Sequence, residues 1–193
     1  MLVYLHGLNS SNQSYKAGVL RERLAPVPVL CPAYPAHRPD LAVATLSGFL
    51  RDLQDQGPPV VVGSSMGAFY GQHLARRFRV AHLFMINPAL RPWDLLHEYE
   101  GATQSTADGQ EYVIDRALIE STRRYGVPDP CAGVPTTLFL DKGDEVIDYR
   151  VAESLYRGCG RLLLFEGGDH GFQHLDEAIG IIREAVAGRG RGD

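Results

Sequence analysis

The chain has 193 residues, 22% charged and 45% hydrophobic, and a formal net charge of −4 at pH 7. That length suits one domain with a real core, and the slight acidity leaves no basic footprint for nucleic acid. No apolar run approaches the roughly 20 residues that span a bilayer, and Met1 leads into Leu2-Val3-Tyr4-Leu5 without a basic leader, so a soluble, cytoplasmic chain is expected.

The first predicted element is a strand over residues 2–5. It runs into the loop His6-Gly7-Leu8-Asn9-Ser10-Ser11, followed by a helix over 15–24 and a strand over 27–31. A longer helix is expected over 40–55, and then an apolar strand over 59–63 that suits burial on both faces. Gly63-Ser64-Ser65-Met66-Gly67 joins that strand to a helix over 66–77. Its Gly67, Ala68, Gly71 and Ala75 form a small-residue face that can lie close to a sheet. A fourth strand follows over 82–86.

Residues 88–134 interrupt the alternation with Pro88, Pro92, Pro128, Pro130 and a polar stretch from Glu98 to Glu111. They read as a lid-like insertion over the C-terminal edge of the sheet, with helical pieces at 92–98 and 112–123. A strand over 136–140, a helix over 149–157, a strand over 160–165 and a helix over 174–187 complete the series. The tail, 187–193, is expected to fray; its closing Arg-Gly-Asp reads as chance. Cys31, Cys131 and Cys159 are scattered, without C-x-x-C spacing, and read as small packing residues.

Strands alternating with helices predict an α/β fold with helices on both faces of a parallel sheet. The expected architecture is one domain, 1–193, with a six-stranded, mainly parallel sheet in the order 2-1-3-4-5-6. Strands one and three would then be neighbours where the winding reverses, and ligands bind at such a crevice.

Gly63–Gly67 fits the G-x-S-x-G nucleophile elbow of α/β hydrolases, with Ser65 as nucleophile. Ser64 does not fit, because its frame would need glycine at the position of Val62. A serine hydroxyl is a weak nucleophile unless a base activates it. His170, in Glu166-Gly167-Gly168-Asp169-His170-Gly171-Phe172, is the candidate base. Asp144, in Gly143-Asp144-Glu145-Val146, is the candidate acid that orients it, with Glu145 and Asp148 as alternatives. The order Ser65, Asp144, His170 is the α/β-hydrolase order. The N–H groups of Leu8 and Met66 are the candidate oxyanion donors.

His6, Asn9, Trp93 and Phe172 are candidate substrate contacts. His6 reads better as a structural hydrogen-bonding residue under the oxyanion loop than as a base, and Trp93 and Phe172 read equally as core. Arg91, Arg123 and Arg124 could attract an anionic substrate, although Arg123 and Arg124 read better as solvated charges. His170 and His174 have a helical spacing that a metal site could use, but no second ligand pair is evident. No metal or cofactor is expected.

Tyr4-Leu-His-Gly-Leu-Asn-Ser-Ser11, Gly63-Ser-Ser-Met-Gly67, Asn87-Pro-Ala-Leu-Arg-Pro-Trp-Asp-Leu-Leu96, Gly143-Asp-Glu-Val-Ile-Asp-Tyr-Arg150 and Glu166-Gly-Gly-Asp-His170 together resemble the YqiA-type esterases. These are small bacterial α/β hydrolases, and the likeness spans all but the tail. It implies a minimal α/β-hydrolase fold and cofactor-free hydrolysis of a carboxylic ester or acyl thioester. The expected function is that of a serine esterase working through an acyl-enzyme on small or short-chain acyl groups. The alternatives are an acyl-CoA thioesterase and a ligand-binding member of the fold with little turnover. The expected partner is a small-molecule ester or thioester, with no nucleic acid and no membrane. Substrate choice would be set in the stretch Gly101–Gly109.

Overall fold

The computed structural model describes residues 1–130 and 133–187. Its strands are β1 (Leu2–Leu5), β2 (Val29–Leu30), β3 (Val60–Ser64), β4 (His82–Ile86), β5 (Thr103–Ser105), β6 (Glu111–Val113), β7 (Thr136–Asp141) and β8 (Arg161–Phe165). Its α-helices are α1 (Tyr15–Arg23), α2 (Pro39–Leu53), α3 (Met66–Leu74), α4 (Pro92–His97), α5 (Arg116–Arg123), α6 (Tyr149–Tyr156) and α7 (Leu175–Ala187). Six strands form one parallel sheet in the order β2-β1-β3-β4-β7-β8. This is the expected order, with β7 and β8 as fifth and sixth strands.

Side chains alternate across each strand, so an apolar strand feeds two cores at once. Val3, Leu5, Val61, Met85 and Leu140 face a core with side chains of α2, α3 and α6, among them Leu46, Tyr70 and Tyr156. Leu2, Tyr4, Val62, Ile86 and Phe139 face the other, with Leu20 of α1 and Ile179 and Ile182 of α7. Burying each large apolar side chain contributes about 1.5–3 kcal/mol. The same alternation makes these strands read as unbroken apolar runs.

The predicted small-residue face of α3 lies against β1 and β3. A Cβ on Gly67 would stand 2.1 Å from the Leu5 carbonyl oxygen, and one on Gly63 would stand 2.5 Å from Ala68 Cα. Only glycine lets strand and helix come this close. The contact holds the end of β1 beside the start of α3.

The segment between β4 and β7 carries α4, an antiparallel hairpin of β5 and β6, and α5. The hairpin replaces part of the helix expected at 112–123, since Tyr112 and Val113 pair with Gln104 and Thr103. Strands of three residues are too short to give a period-two signal. Their turn closes through Thr106 N–H donating to Gln110 O, with Gly109 at φ 81°. Leu96, Ile114 and Ile119 form a small core beneath the hairpin, and Leu8 packs against it.

Cys159 is disulfide-bonded, which corrects its reading as a packing residue. It sits in the turn before β8, beside the start of β7, a proximity that spacing along the chain does not reveal. Cys31 is free and half-buried. Cys131 and the tail from 188 onward, with its Arg-Gly-Asp, lie outside the described residues. Among the described residues no helix is long and apolar enough to cross a membrane.

Candidate active site

β3 carries the chain to the C-terminal edge of the sheet, and α3 begins one residue after Ser65. Ser65 has φ 54° and ψ −119°. Such a conformation costs a non-glycine residue about 1–3 kcal/mol and persists only where the surroundings impose it. Here Ser65 N–H donates to the Ile86 carbonyl at 2.9 Å, and the Ser65 carbonyl accepts from Ala68 N–H at 3.1 Å and Ala89 N–H at 3.2 Å. The backbone is fixed while the half-buried side chain remains accessible.

The loop after β1 lies against this turn: a Cβ on Gly7 would stand 3.4 Å from Ser65 Cβ. Among the described residues, neither Leu8 N–H nor Met66 N–H donates to a protein acceptor. His6 lies beneath the loop, 3% exposed, with its ring stacked on Tyr34 at 4.2 Å. Tyr34 Oη donates to the His6 carbonyl at 2.6 Å. Burial lowers the His6 pKa, partly countered by the Gly7 carbonyl beside Nδ1. His6 is therefore a support of the loop, away from the cavity described below.

Two loops beyond β7 and β8 bring a carboxylate and an imidazole together. Asp144 Oδ2 is 2.9 Å from His170 Nδ1, and Oδ1 is 3.1 Å away. Oδ1 also accepts from Val146 N–H at 2.9 Å and Ile147 N–H at 2.8 Å. The Asp144 side chain is 1% exposed and that of His170 is 27% exposed. Facing a carboxylate, Nδ1 is assigned the proton, which leaves Nε2 as an acceptor. The alternative acids have other partners. Glu145 accepts from the His170 backbone N–H at 3.1 Å, and Asp148 caps α6 and pairs with Arg150.

A second carboxylate, absent from the sequence reading, anchors the same loop. Asp141, fully buried at the end of β7, has Oδ1 2.6 Å from His174 Nδ1. Its Oδ2 accepts from Gln173 N–H at 2.8 Å and Asp169 N–H at 3.3 Å. Asn87, at φ 40°, accepts from Asp141 N–H at 2.9 Å and donates through Nδ2 to the Asp169 carbonyl at 3.0 Å. Gly168, at φ 75°, has to be glycine, because a Cβ there would stand 2.0 Å from Asp141 Oδ2. His170 and His174 thus engage separate carboxylates. Among the described residues no group of three His, Cys, Asp or Glu is placed to hold a metal.

Ser65 and His170 line one cavity of about 660 Å³. Among the described residues no hydrogen bond joins them directly; such contacts commonly tighten only when substrate binds. Leu95, Leu96 and Ile114 form apolar wall, while Ser10, Ser14 and Lys16 contribute polar wall. Asn9 lines the cavity, but its amide is engaged: Nδ2 donates to Gln104 Oε1 at 3.0 Å, and Oδ1 accepts from Tyr112 Oη at 2.7 Å.

Trp93 and Phe172 lie outside this cavity. Trp93 packs edge-on against Phe69, with the Arg123 guanidinium 5.6 Å from its ring centroid. Phe172, 4% exposed, turns at φ 66° into the core beside Phe139 and Phe165, because the chain folds back under His170 to begin α7. Arg124 pairs with Asp40 at 2.7 Å and Arg123 with Glu120 at 3.4 Å; neither they nor Arg91 line the cavity.

The sheet order and the serine turn between strand and helix, with acid and imidazole loops after the last two strands, define an α/β-hydrolase fold. The chain belongs to the family described as Uncharacterised protein family (UPF0227), whose model matches residues 1–185. This is the YqiA-type family that the motifs resemble. Several solved structures share the fold at low identity. Est1E from Butyrivibrio proteoclasticus is 14% identical with a TM-score of 0.77, over 96% of this chain and 86% of that one. The monoacylglycerol lipase of Paleococcus ferrophilus is 16% identical with a TM-score of 0.73, over 96% and 93%. The esterase domain of a Rhodothermus marinus protein is 17% identical with a TM-score of 0.69, over 98% and 85%.

Proposed function

We propose that this chain is a serine hydrolase that cleaves carboxylic esters of small or short-chain acyl groups. The observation that carries the reading is Ser65, held at a positive φ, sharing a cavity with a His170 whose Nδ1 is engaged by buried Asp144. In this reading His170 Nε2 takes the Ser65 proton as Oγ attacks the acyl carbon. The imidazolium then returns the proton to the leaving alkoxide, and water repeats the sequence on the acyl-enzyme. Asp144 holds the tautomer and stabilises the imidazolium. The Leu8 and Met66 N–H groups receive the oxyanion; losing one such donor costs about 3–4 kcal/mol of barrier. The segment 88–134 acts as a lid within one domain, and the reaction needs no cofactor.

The test is intact-mass spectrometry after treatment with a fluorophosphonate, alongside turnover of ester and acyl thioester probes. One adduct, absent from Ser65→Ala and His170→Ala, is the expected result. A folded wild-type protein with neither adduct nor turnover would remove the hydrolase reading in favour of ligand binding. Cleavage of thioesters in preference to esters would move the substrate class to acyl thioesters.

A further inference from the structure

We propose that Lys16 selects substrates in which the ester carries an anionic group, a carboxylate or a phosphate, and so narrows the substrate class of the hydrolase reading on which this rests. Lys16 stands in the first turn of α1, directly after the segment that follows the oxyanion loop. It lines the same cavity as Ser65 and His170, and among the described lining residues it alone carries a fixed charge. No carboxylate faces it across that lining.

Lys16 is half-buried. Among the described residues it makes no hydrogen bond and no ion pair. Burial lowers its pKa, and the fields of Asp169 and Asp141 act in the opposite direction. Neither carboxylate is an ion-pair partner of Lys16, and both have donors of their own, although Asp169 Oδ1 is buried without a hydrogen-bond partner among the described residues. Asp141 takes His174 Nδ1 and the Gln173 and Asp169 N–H groups, and Asp169 Oδ2 takes Gln173 Nε2 at 2.7 Å. The two acids favour the charged form without pairing with it, so its three donors are open to an occupant of the cavity. Withdrawing a charge from water without a partner is costly, and a bound anion relieves that cost.

Leu95, Leu96, Ile114 and Val146 supply apolar surface in the same space. A cavity with one ammonium and an aliphatic wall fits an ester that is hydrocarbon in one part and anionic in another. The arginines that sequence inspection suggests for this role lie elsewhere, on Asp40, on Glu120 and beside Trp93.

The experiment compares kcat/KM for matched esters. p-Nitrophenyl pentanoate is set against mono-p-nitrophenyl glutarate, which places a carboxylate on the acyl side. Monopentanoyl glycerol is set against pentanoyl-glycerol phosphate, which places a phosphate on the alcohol side. Wild type should favour at least one anionic member about tenfold or more, and the favoured pair identifies the anion. Lys16→Met should lower that anionic-to-neutral ratio about tenfold, chiefly through KM, and Lys16→Arg should recover part of it. Added salt should erode the wild-type preference. An unchanged ratio in Lys16→Met, or no anionic preference in wild type while neutral esters turn over, overturns the assignment. Failure of all four esters, with no fluorophosphonate adduct, instead strikes the hydrolase reading itself.

Discussion

At Ser65 the backbone, rather than the side chain, stores the strain. Its φ of 54° and ψ of −119° are imposed by hydrogen bonds to Ile86, Ala68 and Ala89, which stay whatever the side chain is. Alanine keeps the Cβ and therefore the strain; glycine removes both. Relief of about 1–3 kcal/mol is offset by about 0.4–1 kcal/mol of added freedom in the unfolded chain. Ser65→Ala should therefore match wild type in urea unfolding, while Ser65→Gly is about 1 kcal/mol more stable than Ser65→Ala. Both should lose turnover. Equal stability of the two variants would mean that the turn relaxes freely and that no strain is held there.

At the scale of elements, the hairpin of β5 and β6 is tied to the loop after β1. Asn9 takes a hydrogen bond from Tyr112 and gives one to Gln104, and His37 stacks on the Tyr112 ring at 4.6 Å. Burial pushes the Tyr112 hydroxyl up to about 12, against the opposing effect of its Asn9 hydrogen bond, so it stays a donor at neutral pH. Asn9 follows Leu8, the candidate oxyanion donor, so the hairpin acts on that amide through one residue. Tyr112→Phe removes one hydrogen bond, worth about 1 kcal/mol net, or about fivefold in rate. The expected result is a kcat about 3–10-fold lower, with KM little changed and the melting temperature lowered by about 2–4 °C. An unaltered kcat would detach the hairpin from the site. The sequence could not foretell this link: the hairpin strands are short and polar, and Asn9 and Tyr112 lie 103 residues apart.

Across the whole molecule, sequence legibility follows locality. Six apolar runs and the helices outside residues 88–134 are readable, because each run announces its own burial. The meeting of Asp144 with His170, and of His170 with Ser65 at one cavity, is legible because each residue sits in a short motif after a strand. Asp141 and its bond to Asn87 are not, since that contact exists only once β4 and β7 lie side by side. Trp93 and Phe172 read equally as pocket and as core, because an aromatic side chain does not declare which face it will take. Burial has one further global consequence. His6, His37 and His73 each have a lowered pKa, with desolvation as the largest cause, and among the described residues His73 Nε2 is buried without a hydrogen-bond partner. Below the ordinary histidine value of about 6.5, the unfolded chain binds protons that the folded chain resists, so stability falls as pH drops through that value. Above it, both states are neutral there and the effect vanishes. Urea midpoints from pH 8 down to pH 5.5 should therefore hold nearly level and then decline. His6→Phe keeps a ring against Tyr34 and removes one titrating site, so its acid limb should be shallower by up to about 1.4 kcal/mol per pH unit. An acid limb as steep as wild type would mean that His6 protonates as readily folded as unfolded, and that the support beneath the oxyanion loop is open to water.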